Sequence, residues 1–289
     1  LKASSFAYVR AGSLDEALSV LNEHRGGAKI LAGGQSLIPA MNMRLASPEI
    51  LIDISRIPEL QQIQLLDDVL RIGTMVRHAE VLKSSFVAEH APLITKAMPH
   101  IAHPAIRNRG TFGGSLCMAD PAAELPACAL ALDARFNIQS AAGGRTVAAA
   151  DFVQGIYTTC LAEDELLVSV DVPVATPGTA TYFDEAARRK GDYAMAGLAA
   201  KVSLRERRFE GARLVYFAVS DRAVTAPLAE TLLNGSSVAD IKADEVCNAV
   251  AGDIAPLNDL TTSGKAKLAI MQALTRRALA SFAKQGDAL

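Results

Sequence analysis

The stretch Leu31 to Ile54, LAGGQSLIPAMNMRLASPEILIDI, decides the reading of this chain. Lys29-Ile30-Leu31 reads as a short strand that opens directly into Ala32-Gly33-Gly34-Gln35-Ser36. Ile50 to Ile54 reads as a second, buried strand. Adjacent glycines admit positive φ and let backbone lie close to a ligand, and successive N–H groups in such a turn form a concavity for an anion. Met41 and Met43, flanking Asn42, are expected to pack beneath this loop. Upstream, the Ser13 and Glu16 pair has the spacing of a capping box. Leu14, Ala17, Leu18 and Leu21 then recur at helical spacing until Gly26-Gly27.

A second loop of the same kind lies in Arg107 to Pro126, RNRGTFGGSLCMADPAAELP, at Thr111-Phe112-Gly113-Gly114-Ser115. Ser36, Thr111 and Ser115 supply hydroxyl donors. A helix starting at either loop would add a favourable N-terminus for phosphate. Two such loops, far apart in sequence, suit the two phosphates of a pyrophosphate. Between and beyond them, Leu60 to Leu65 and Val69 to Gly73 read as strands around an Asp67-Asp68 turn, and His78 to Leu82 and Ala91 to Met98 as helices. A helix is expected from Ala122 to Leu132, and a strand from Leu166 to Val172 that Pro173 ends. Ala175-Thr176-Pro177-Gly178 reads as a linker. Leu198 to Leu204 and Leu214 to Val219 read as strands, and the chain is mostly helical from Ala226, ending in Ser263 to Ala283. Mixed elements followed by strands and then helices argue for α+β domains, not a regularly alternating parallel sheet.

Composition excludes several function classes. Of 289 residues, 50% are hydrophobic and 21% charged, so a packed core is expected and disorder is not. A net charge of −2 lacks the basic excess of a nucleic-acid binder; the local clusters Arg188-Arg189-Lys190 and Arg205 to Arg208 read as solvated strand ends. No apolar run approaches a transmembrane segment, and the first residues lack a secretory signal core. Cys117, Cys128, Cys160 and Cys247 form no CxxC pair, so neither an iron–sulfur cluster nor a zinc site is expected here. Unpaired thiols point to a reducing cytoplasm. No G-x-G-x-x-G occurs, and Gly264-Lys265 fails as a P-loop because Asp259 and Ala266 stand where Gly and Ser/Thr belong. His100 and His103, bracketed by Pro99 and Pro104, lack further metal ligands nearby.

The two loops, the Asp120-Pro121-Ala122-Ala123-Glu124-Leu125-Pro126 tail and a third stretch, Ala187-Arg188-Arg189-Lys190-Gly191-Asp192-Tyr193-Ala194, resemble the FAD-binding medium subunits of the carbon monoxide dehydrogenase and xanthine dehydrogenase family. The resemblance covers essentially the whole chain. It implies an α+β fold: a two-part FAD-binding cradle of the PCMH type, residues 1–57 and 58–177, followed by a small C-terminal α+β domain of antiparallel sheet and helices, residues 178–289. It implies non-covalent FAD, held by Lys29, Ile30, Leu31, Ala32, Gly33, Gly34, Gln35 and Ser36 in the first stretch. Thr111, Phe112, Gly113, Gly114 and Ser115 would hold it in the second. Glu124 matches an acidic position that bonds the sugar-like part of the cofactor. Ile101 and Leu167 match apolar positions against the rings, and Tyr193 an aromatic cover for the isoalloxazine. Departures are Gln35 for a common histidine, Cys117-Met118 for Ala-His, and acidic Asp184 and Glu185 where some relatives carry a flavin-contacting lysine.

By the same resemblance the partners are a large molybdopterin-binding subunit and a small 2Fe–2S subunit, in a dimer of heterotrimers. No catalytic residue for substrate oxidation lies in this chain, and no metal site. N-heteroaromatics, aldehydes, purines and carbon monoxide all stay open as substrates of the complex, and NAD, oxygen or a quinone as acceptor. Two rivals stand beside this reading: a self-sufficient flavin oxidase, and a non-catalytic nucleotide-binding assembly module.

Overall fold

The computed structural model describes residues 2–286. The chain opens with β1 (Ala7–Arg10), α1 (Leu14–Glu23), β2 (Ala28–Leu31), α2 (Leu37–Asn42) and β3 (Ile50–Asp53). The three strands form a parallel sheet in the order β1-β3-β2. The cap of α1 is as expected on one side: the Ser13 hydroxyl accepts from the Glu16 amide at 3.2 Å. The Glu16 carboxylate reaches one residue further back and accepts from the Gly12 amide at 2.8 Å. Ala17, Leu18 and Leu21 pack on Ile50, Ile52 and Ile54, a buried layer beneath α1. Met41 is buried as expected, but Met43 is 60% exposed. It caps the C-terminus of the six-residue α2, past the single turn whose inner face touches the core.

The middle of the chain is an antiparallel sheet around a helical layer. The expected strand Leu60 to Leu65 begins later, because Pro58 starts a 3-10 turn over Pro58–Gln61. β4 (Ile63–Leu66) and β5 (Val69–Gly73) then pair around Asp67 and Asp68. Six helices follow: α3 (His78–Lys83), α4 (Ser85–His90), α5 (Pro92–Ala97), α6 (Pro104–Arg107), α7 (Phe112–Met118) and α8 (Glu124–Ala131). Next come β6 (Arg135–Ser140), β7 (Gly143–Ala148), α9 (Ala149–Phe152), β8 (Val153–Gly155), β9 (Thr158–Thr159) and β10 (Leu166–Pro173). β10 returns to the centre of the sheet, order β4-β5-β10-β6-β7.

After the Ala175–Gly178 stretch the chain forms β11 (Thr179–Ala186), β12 (Ala196–Arg205), β13 (Arg208–Phe217) and β14 (Val224–Thr225), then α10 (Pro227–Leu233), α11 (Ala243–Asp253) and α12 (Gly264–Gly286). The four strands lie in sequence order in one antiparallel sheet. Alternate residues decide what each face meets. Leu198, Ala200, Val202, Leu214 and Tyr216 join the core formed with α10 to α12. Phe183, Ala199, Val215 and Phe217 belong instead to the core of the preceding unit, with Leu93, Ala97, Leu125 and Cys128. The sheet is therefore sandwiched, and its inner face continues the core beneath the second loop. Lys96 of α5 adds a polar tie, donating to the Thr181 hydroxyl at 2.9 Å.

Candidate functional site

The fold brings the two glycine loops into contact. The first leaves β2, at the end of the parallel sheet, and turns into α2. Gly34 has φ +71°, which glycine alone adopts cheaply, and the Gln35 side-chain Nε2 donates to the Gly33 carbonyl at 3.1 Å. Gly33 is buried against the segment that enters the second loop: a Cβ there would sit 2.8 Å from Gly110 Cα and closer still to the Arg109 carbonyl oxygen. Ala32 faces Gly114, whose own Cβ would meet the Ala32 methyl at 3.6 Å. Among the described residues, the N–H groups of Gly33, Gly34, Gln35 and Ser36 have no protein acceptor. Four adjacent donors at a partly enclosed turn form a cradle for a polyanion.

The second loop is built differently. Its N–H groups are spent within the protein: Phe112 donates to Val76 O at 2.9 Å, Gly113 to Thr74 O at 2.9 Å and Gly114 to the Thr111 hydroxyl at 3.1 Å. Gly113 is there for close packing; a Cβ would meet Thr74 Cβ at 2.6 Å and its hydroxyl closer still. Thr111 is the N-cap of α7 and is 2% exposed, its hydroxyl oxygen occupied by the Gly114 amide. Ser115 is partly exposed one turn along. His78 supports the loop from below, its Nε2 2.8 Å from Thr111 O. Burial pushes that imidazole down to about 4, so it is neutral there, and its Nδ1 has no partner.

The remaining candidates fall in four places. Lys29 and Ile30 lie in β2 beside the first loop, and Leu31 ends it. Glu124 is the first residue of α8 and remains partly exposed; burial, then the charge of Glu185, pushes its carboxyl up to about 8. Tyr193 is 73% exposed, in the turn before β12. That turn docks on the second lobe through Gly191, whose φ is +86° and whose Cβ would lie 2.7 Å from His103 Nδ1. Arg107 holds the same region by donating to Ile101 O and Ala102 O, each at 2.8 Å. Ile101 and Leu167 are 7% and 2% exposed, inside the core of the second lobe.

Sequence reasoning did not find Arg107, Gly191, or the meeting of His100 with Glu185. Only the positive-φ glycine in the Lys190-Gly191-Asp192 turn offered a signal. No cluster of three or more metal-ligating residues occurs among the described residues, and all four cysteines are free thiols. No helix among them is long and apolar enough to cross a membrane. A separate cleft of about 370 Å³ lies between the Pro173–Thr179 stretch and the β12–β13 face. Its charges are spent on one another, with Lys201 and Arg213 both on Asp133 at 3.2 and 3.4 Å.

Comparison with known proteins matches residues 4–175 to the FAD binding domain in molybdopterin dehydrogenase and residues 181–282 to the CO dehydrogenase flavoprotein C-terminal domain. The nicotine 6-hydroxylase medium subunit of Paenarthrobacter nicotinovorans is 37% identical over 96% of this chain and 98% of that protein. The carbon monoxide dehydrogenase medium chain of Hydrogenophaga pseudoflava is 34% identical over 95% of this chain and 96% of that protein. Among solved structures, quinoline 2-oxidoreductase from Pseudomonas putida 86 superposes with a TM-score of 0.93 at 37% identity, covering 99% of each chain. The chain belongs to the FAD-binding medium subunits of the carbon monoxide dehydrogenase and xanthine dehydrogenase family.

Proposed function

We propose that this medium subunit holds FAD non-covalently across its two glycine loops and is the electron outlet of a heteromeric molybdenum hydroxylase. Electrons come from a small 2Fe–2S subunit, a large molybdopterin subunit oxidises the substrate, and an external acceptor takes the electrons away. The observation that carries this is the cradle at Gly33 to Ser36: four donors without protein acceptors, pressed against the second loop by a glycine that has no room for a side chain. Bound FAD supplies reversible acceptance and release of electrons, a capacity no side chain of this chain has. The chain's own residues do the rest. Amides 33–36 bind the pyrophosphate, with the Ser115 hydroxyl on its other side and Thr111 capping the helix behind it. Glu124 hydrogen-bonds the sugar-like part, Lys29, Ile30 and Leu31 frame the first loop, and Tyr193 covers the ring system. Ile101, Phe112 and Leu167 shape the floor from within the core.

The names of the relatives support division of labour among chains. They are a medium subunit, a subunit beta and medium chains, and the substrates they name run from nicotine and caffeine to carbon monoxide at 37%, 38% and 34% identity. Similar medium chains thus accompany dissimilar substrates, as expected if the substrate binds elsewhere. We assign residues 1–57 and 58–177 to the cradle and 178–289 to a unit fused against it, in a cytoplasmic dimer of heterotrimers.

The test is the visible spectrum of the purified chain, with the released molecule identified by mass spectrometry. One FAD per chain is expected, and Gly33→Val, whose side chain has no room against Arg109 and Gly110, is expected to lose it. In the complex isolated with its partners, substrate should bleach the flavin band. A turnover rate that survives removal of both partner chains sinks the electron-outlet role.

A further inference from the structure

The loop after β13 reaches back across the domain boundary to the turn that carries Glu124. Ala218, the first residue beyond β13, donates its amide to the Pro121 carbonyl at 2.8 Å. Pro121 lies in the turn before α8, where the Asp120 carbonyl accepts from the Ala123 amide at 3.0 Å and the Asp120 carboxylate from the Ala122 amide at 2.9 Å. That turn places Glu124, the first residue of α8. Further along the same loop, Arg222 donates to the Gln154 carbonyl of β8 at 2.8 Å. The β8–β9 hairpin grips the turn from its other side, the Tyr157 amide donating to Ala119 O at 3.1 Å.

Ala119, Tyr157 and Ala218 have φ of +49°, +53° and +61°. Three non-glycine residues in the left-handed region, joined in one hydrogen-bonded patch, persist only where the surroundings hold them there. For Ala218 the restraint is a single side chain. Its carbonyl accepts from Lys267 Nζ at 2.6 Å. Lys267 is 4% exposed, and the same Nζ lies 2.7 Å from Asp259 Oδ2. The residue breaks two local rules at once. Lysine is seldom buried, and a cation in the first turn of α12 faces the unfavourable end of the helix dipole. An apolar side chain here, one turn before the core residue Met271, would incur neither cost. Breaches of local rules without local gain gather at functional sites.

We propose that Lys267 is a positioning residue of the FAD site: it holds Ala218 in its left-handed conformation, and Ala218 in turn holds the Asp120–Glu124 turn in place for the cofactor. This rests on the reading that the chain binds FAD. Each link is a hydrogen bond, from Nζ to Ala218 O, from Ala218 N to Pro121 O, and from Ala122 and Ala123 to Asp120. The Pro121 bond and the Lys267 bond lie on the two peptide groups that meet at Ala218. A change in its φ separates them. Without the Lys267 donor nothing opposes relaxation of Ala218 to negative φ, and the bond to Pro121 weakens with it. The C-terminal domain is then a builder of the cofactor site, through a residue of its last helix.

The experiment measures the FAD dissociation constant, by fluorescence of released FAD, and the visible circular dichroism of bound FAD. The proteins are wild type, Lys267→Met, Ala218→Gly and the double variant, each as the purified chain or in its complex if only that holds FAD. Lys267→Met should hold FAD roughly tenfold more weakly, the equilibrium cost of a left-handed alanine left unsupported, with an altered dichroism band. Ala218→Gly alone should bind as wild type, because glycine adopts positive φ without strain. Placed in the Lys267→Met chain it should restore most of the lost affinity, which a general loosening of α12 would not allow. Lys267→Gln, shorter and hydratable, makes the same cut should the Met variant not fold. Phe282→Leu, at a buried site near the other end of α12, is the control for loosening and should lower the melting temperature without weakening FAD. A Lys267→Met chain with wild-type affinity and dichroism, a loss that Ala218→Gly does not rescue, or an equal loss in Phe282→Leu would overturn the inference while leaving FAD binding intact. Wild-type protein that holds no FAD, alone or in its complex, would overturn the FAD reading and this inference with it.

Discussion

The two glycine loops have nearly the same composition and opposite construction. In the first, Gly33-Gly34-Gln35-Ser36, the backbone donors face outward without acceptors and the Ser36 side chain caps nothing. In the second, Thr111 to Ser115, three successive amides are consumed by Val76, Thr74 and Thr111, and Gly113 is a spacer with no room for a methyl. One loop is a set of donors kept available; the other is a rigid wall against which the first is set. A glycine pair alone therefore does not state which job it does. Adjacent donors require an open turn, whereas close packing requires only the absence of Cβ.

The comparison breaks most forcefully at Gly113. A methyl there would overlap the Thr74 hydroxyl, in backbone that two hydrogen bonds tie to β5 and its continuation. Overpacking of this kind costs roughly 3 kcal/mol or more where nothing can give way. Gly113→Ala is expected to unfold the second lobe or lower its melting temperature by many degrees, and Thr74→Gly in the same chain should recover part of the loss. If Gly113→Ala melted like wild type, the wall would be softer than described.

A second break uses acid. His78 lies under Thr111 and Gly110, neutral at about 4 against 6.5 for a free imidazole. The folded state resists protonation, so its stability is complete above pH 6.5 and falls as pH drops toward 4. The loss approaches roughly 3 kcal/mol. Thermal melts between pH 7 and 4 should show that slope, and His78→Gln should flatten it. The first loop has no titratable support of this kind, so an equal slope in His78→Gln would place the acid-sensitive point elsewhere.

Much of this architecture can be read from residue order, and the failures have physical causes. β2, β3, β5 and β10 are short apolar runs bounded by turn residues, and α1 announces itself through Ser13 and its apolar spacing. The hairpin of β6 and β7 escaped because β7, Gly143–Ala148, is an exposed edge strand with little apolar content. β11 escaped because Thr179–Ala186 carries Asp184 and Glu185 in a run that otherwise alternates. Pro58 turned an expected strand start into a 3-10 turn. Within the site, the loops were legible as glycine pairs. Their contact, the consumption of the second loop's donors, and the approach of Glu185 to His100 were not. Each depends on a partner distant in sequence, and hydrogen-bond bookkeeping needs coordinates.

The finest distinction lies between the two residues that precede the loop helices. Thr111 caps α7 through its hydroxyl, whereas Ser36 stands in the same place before α2, exposed, with φ −108°, ψ −46° and no side-chain bond to the helix. Loss of a cap costs typically about 1 kcal/mol, so Thr111→Val should lower the melting temperature by a few degrees even without cofactor. Ser36→Ala removes no bond made within the protein, and its effect on apo stability should stay within about 0.5 kcal/mol. Its cost should instead appear when FAD is bound, as a few-fold weaker hold, because the hydroxyl is one of the groups left free for the ligand. Paired melts of the apo and FAD-loaded forms separate the two effects. An apo destabilisation by Ser36→Ala as large as that of Thr111→Val would mean that both loops are scaffolds and that the free donors of the first have another use.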